Sequence, residues 1–95
     1  MGDRYDTVLS RFTDLLVRLS WTWPSSELDF VRDEVEHREF GDALENLAAL
    51  AIRSGRVLDE DSIADIEVLA REMQISTSPV FRELRERRDG RLSAD

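Results

Sequence analysis

Glu39-Phe40-Gly41-Asp42-Ala43-Leu44-Glu45-Asn46-Leu47-Ala48-Ala49-Leu50-Ala51-Ile52 is the stretch that decides how the rest of this chain folds. From Ala43 onward its spacing predicts a helix. Leu44, Leu47, Ala48, Leu50, Ala51 and Ile52 cover well over half of that helix, and Glu45, Asn46, Ala49 and Arg53 leave one strip suited to water. A helix apolar around most of its circumference must be covered by neighbours, so it reads as the buried central helix of a small bundle. Its alanines let other helices approach closely. Gly41 allows a sharp entry, and Gly55 suits the left-handed residue that ends a helix.

Outward from this centre the chain reads as all-α, four to five helices in a single domain over residues 1–95. Tyr5, Val8, Leu9, Phe12, Leu15, Leu16 and Leu19 fall on one face of a first helix over residues 3–19. Trp21-Thr22-Trp23-Pro24 ends it, because proline drives the preceding residue out of helical geometry. The two tryptophans read as a plug at the end of the core, with ligand stacking as the alternative. Ser25 or Ser26 then caps a second helix whose core stripe is Leu28, Val31 and Val35. Arg38 to Gly41 leaves room only for a tight turn, which makes helices two and three an antiparallel hairpin. Asp59 is the expected cap of a fourth helix with Ile63, Ile66, Leu69, Ala70 and Met73 inward. Ser78-Pro79 starts a short fifth helix docked by Val80, Phe81 and Leu84. The charged segment from about 86 to 95 reads as a frayed tail.

Composition narrows the function. There is no cysteine, so a disulfide framework and a thiolate metal site are both excluded. The longest apolar run, Leu47 to Ile52, is too short to span a bilayer, and no basic-then-apolar leader opens the chain. The expected location is the cytoplasm. A net charge of −8 argues against nucleic acid or an anionic membrane as a partner. All thirteen basic residues are arginine, which a GC-rich coding bias explains. Acids are concentrated, with eight against two arginines over residues 27–45 and six against one over 59–72. That pattern fits a basic partner, and equally fits solvated helix faces.

The residues offer little catalytic chemistry. Cysteine and lysine nucleophiles are absent, and the one histidine, His37, sits at a helix end where it meets the dipole favourably. Asp59-Glu60-Asp61 resembles the opening of a calcium loop. Ile63 and Ala64 then stand where that loop needs an oxygen ligand and a glycine. Carboxylate pairs such as Asp61/Asp65 and Asp29/Asp33 arise by chance in so acidic a chain. No metal, no cofactor, no small-molecule substrate and no enzyme activity are expected.

A protein-binding surface is what remains. Phe30 lies off the core stripe of its helix among Asp33, Glu34 and His37, and Val68 lies off its own among Asp61, Asp65 and Glu72. An apolar residue ringed by charge has the form of an interface anchor with a polar rim. The alternative is that Phe30 packs against the first or the last helix. Those eight residues are the expected partner-binding set, on a monomer or weak homodimer.

The run from Leu28 through Met73 also resembles the Maf-type immunity proteins of bacterial polymorphic toxin systems. The likeness lies in the Leu28/Val31/Val35 helix, then Glu39-Phe40-Gly41-Asp42-Ala43-Leu44-Glu45-Asn46-Leu47. It continues in an acidic helix that opens at Leu58-Asp59-Glu60-Asp61 and closes near Ala70-Arg71-Glu72-Met73. It covers about half the chain. The resemblance implies an immunity protein that binds the C-terminal toxic domain of a cognate toxin, many of which are basic nucleases, and blocks it. An acidic adaptor, self-associating scaffold or nucleic-acid mimic without a toxin is the alternative.

Overall fold

The computed structural model describes the backbone of residues 3–55 and 58–93 and the side chains of residues 6–55 and 58–87. Among the described residues there are five helices and no strand: α1 (Asp3–Leu19), α2 (Ser25–Glu36), α3 (Phe40–Ser54), α4 (Glu60–Glu72) and α5 (Pro79–Ser93). Short connections favour antiparallel packing of consecutive helices. Helices α1 to α4 close a ring in which each packs on the next and α4 returns to α1, while α5 is laid against α3. Helix α3 therefore touches α2, α4 and α5, which is why its sequence is apolar so far around.

The core follows the expected stripes. Phe12, Leu15, Leu28, Leu44, Leu47, Ile66 and Leu69 are all fully buried. Phe81 and Leu84 bring α5 onto the same cluster. Leu9 departs from its expected place: it lies at the margin of the α1 face and is 39% exposed. The tryptophans divide. Trp23 is buried and closes the end of the core, whereas Trp21 is 84% exposed, because Pro24 turns only the second of them inward.

Helix ends also differ from expectation in instructive ways. Pro24, with φ −58° and ψ 138°, occupies the position before α2, and no side chain caps it; Ser25 and Ser26 lie inside the first turn. Helix α3 starts at Phe40, three residues before the predicted onset, so Gly41 is helical and makes no sharp turn. The left-handed residue of that connection is Arg38, at φ 64°. Its N–H reaches the Val35 carbonyl at 3.0 Å and the Glu39 N–H reaches Glu34 at 2.9 Å, the paired bonds of a Schellman ending. Gln74 repeats the device at the end of α4, with Ile75 N–H on the Ala70 carbonyl at 2.9 Å.

Asp59 caps α4 as expected, its carboxylate accepting the Ser62 N–H at 3.1 Å. Gly55 ends α3 in the left-handed region at φ 68°. Arg56 and Val57, expected in the connection that follows, lie outside the described residues, as do Ala94 and Asp95. From about 86, where a frayed tail was expected, α5 continues through Gly90 to Ser93.

Gly41 gives a direct test of its helical role. A Cβ there would lie 3.9 Å from Ile75 Cδ1, an ordinary contact. Gly41→Ala is thus expected to stabilise the fold by about 0.5–1 kcal/mol by restricting the unfolded chain. A raised urea midpoint would bear this out; a lowered one would mean that the position needs glycine's freedom.

Candidate interaction surface

Helix α2 buries Leu28, Val31 and Val35 and thereby turns Phe30 outward, where it is 63% exposed. At that exposure the residue is not buried under α1 or α5. Asp33 and His37 share its strip, with side chains 69% and 67% exposed. His37 Nδ1 donates to the Asp33 carbonyl at 2.8 Å and lies 3.6 Å from its carboxylate. That hydrogen bond, aided by the negative charges of Asp33, Glu39 and Glu36, raises the His37 pKa above its usual 6.5. Glu34 is different. It is half-buried and takes the Asn46 side-chain amide at 2.8 and 3.0 Å, clasping α2 to α3. Its charge is partly spent inside the fold.

The raised pKa carries a sign. A group whose folded pKa exceeds its unfolded one adds stability below the unfolded value and loses it as pH rises through the folded value. The exposure of His37 keeps that contribution small; the useful readout is the titration itself. Following the His37 ring protons by NMR should place the midpoint above 6.5, and Asp33→Asn should lower it. A midpoint at or below the free-histidine value would show that Asp33 does not hold the ring.

The acidic face expected on α4 is, in large part, a seam with α1. Arg18 Nη1 meets Asp65 Oδ2 at 2.7 Å, and Arg11 Nε lies 3.7 Å from Glu72 Oε1. Val68, one turn from each, is half-buried on the same side. The reason was legible in spacing. Arg11 and Arg18 are seven apart, as are Asp65 and Glu72, so two antiparallel helices bring both pairs into register. Such part-exposed pairs add at most about 1 kcal/mol each and serve mainly to set register. Asp61 remains exposed at the start of α4, with no ion pair among the described residues.

The ring places α2 and α4 at opposite corners, each between α1 and α3. Hence Phe30, Asp33, Glu34 and His37 form one strip, and Asp61, Asp65, Val68 and Glu72 belong to another that faces a different way. Sequence spacing missed a third feature. Leu9, Thr13 and Val17, each one turn after the last, border a groove of about 220 Å³ with Leu16 of α1 and Arg32, Val35 and Glu36 of α2. Val17 is 55% exposed, and Trp21 stands one further turn along the chain. The signal that could have found it is the i, i+4 repeat running off the edge of the core stripe.

Among the described residues no group of three or more histidine or acidic side chains is placed to hold a metal ion. No helix among them is long and apolar enough to cross a membrane. Comparison with protein-family models, with curated proteins and with solved structures found no match for this chain.

Proposed function

We propose that this chain is a cytoplasmic immunity protein that binds and neutralises the C-terminal toxic domain of a cognate polymorphic toxin, a basic nuclease in the simplest case. It works by occlusion and carries out no reaction of its own. The observation that carries the reading is Phe30, 63% exposed on an outer face beside Asp33 and His37 in a chain of net charge −8. An exposed aromatic in an acidic rim supplies a desolvated anchor, and the surrounding charge speeds encounter with a basic surface. The Leu28–Met73 resemblance supplies the identity of the partner. Because Asp65 and Glu72 are paired to α1, the reading places the toxin on α2, with Asp61 contributing only to the long-range field.

Steering makes the reading testable in solution. With the purified toxic domain, the association rate should fall steeply between low and physiological salt, while the dissociation rate changes little. A salt-independent association rate would remove acidic steering from the account.

The exposed row of Leu9, Val17 and Trp21 favours a second reading, a self-associating acidic scaffold. Sedimentation of the isolated chain separates the two. A monomer at high micromolar concentration fits the immunity reading, whereas a dimer abolished by Val17→Asp fits the scaffold.

A further inference from the structure

A groove lined by several positive charges lies between α4 and α5. Arg71 from α4 and Arg82 and Arg85 from α5 line a space of about 390 Å³ with Ser76, Thr77 and Glu67. Spacing explains the convergence. Glu67 and Arg71 are one turn apart on α4, Arg82 and Arg85 one turn apart on α5, and the intervening turn presents the two hydroxyls. Glu67, half-buried, lies 4.0 Å from Arg85 Nε and so steadies one of the three guanidiniums. Arg71 and Arg82 make no ion pair among the described residues, and the hydroxyls of Ser76 and Thr77 have no hydrogen-bond partner among them. Three arginines against one glutamate give the lining a charge opposite to that of the chain as a whole.

We propose that this groove binds a phosphoryl dianion, as inorganic phosphate or as a phosphate monoester. Planar guanidinium forks match the edges of a tetrahedral oxyanion, and the lining offers arginines from two helices together with two neighbouring hydroxyls. A carboxylate is planar and is satisfied by a single bidentate arginine, so it would leave the other donors unused. No aromatic side chain lines the groove, which gives a nucleobase no face to stack on. The size lies at the low end of small-molecule sites. Recognition therefore rests on the phosphate and on little else. Ser78 is not part of it, because its hydroxyl is turned to Glu45 of α3 at 2.8 Å. This site differs from the α2 strip in its charge and does not depend on the toxin reading.

The test is an NMR titration of the isotope-labelled full chain with inorganic phosphate at constant ionic strength, with chloride as the balancing salt. The amides of Arg71, Ser76, Thr77 and Arg82 should shift together and saturate. A parallel titration with ribose 5-phosphate separates the sources: equal affinity assigns the site to the free ion, and tighter binding of the ester assigns it to a phosphate monoester. The double variant R71A/R82A, altered at two exposed positions, should weaken binding by about tenfold or more. Glu67→Gln removes the one opposing charge and should tighten it about two- to fivefold. Shifts no larger than those from chloride would overturn the proposal, as would unchanged binding in R71A/R82A or weaker binding in Glu67→Gln.

Discussion

Leu47→Ala is expected to remove about 3 kcal/mol of folding stability, within the ~2–5 kcal/mol seen for leucine truncation in packed cores. Leu47 is fully buried in the middle of α3, the helix that touches α2, α4 and α5. A helix held by neighbours on several sides cannot easily shift to fill the gap. A domain of this size has roughly 5–15 kcal/mol in all, so this one change consumes a large share. Urea unfolding should show the lower midpoint with an unchanged slope. Ile52, also on α3 but half-buried at its end, should cost clearly less on truncation to alanine. If Leu47→Ala cost under ~1 kcal/mol, α3 would not be the helix on which the core is built.

Phe30→Ala should do the reverse. The ring is 63% exposed, so folding stability should stay within about 0.5 kcal/mol of the parent. Binding to the toxic domain should fall by about 2 kcal/mol or more, roughly thirtyfold in Kd, mostly through faster dissociation. Asp33→Asn should act on the association rate and on its salt dependence. Asp65→Asn provides the contrast, because that carboxylate already meets Arg18 at 2.7 Å and lies at another corner of the ring. It should trim stability by under ~1 kcal/mol and leave the complex nearly unchanged. A Phe30→Ala protein that binds as tightly as the parent would take the anchor off α2 altogether. The row of Val17 and Trp21 would then be the next place to look.

The difference between these two residues shows what a one-dimensional pattern can hold. Burial of Leu44, Leu47 and Ala48 follows from helical period, and so does the place of Phe30 off its core stripe. The exposure of Phe30 depends instead on α1 and α5 leaving it uncovered. The Asp59 cap and the left-handed Gly55 follow from local chemistry. What depends on neighbours was harder to see. The acids of α4 look solvated until α1 lays Arg11 and Arg18 across them. Trp21 and Trp23 are chemically alike, and only the path of the backbone into Pro24 decides which is buried. Arg38 and Gln74 take left-handed conformations that glycine would mark in sequence, so the left-handed residue at each of those helix ends carried no signal. The α4–α5 groove was invisible for the same reason, since its arginines come from two helices and its hydroxyls from the turn between them.

The measurement that tests the account most directly is growth of cells expressing the C-terminal domain of the protein encoded immediately upstream, with and without this chain. The account predicts that the domain alone arrests growth, that this chain restores it, and that the two co-purify. Rescue should be lost with Phe30→Ala, although that variant folds. Arrest that persists in the presence of the folded parent chain, or an upstream domain without toxicity, would contradict the immunity reading.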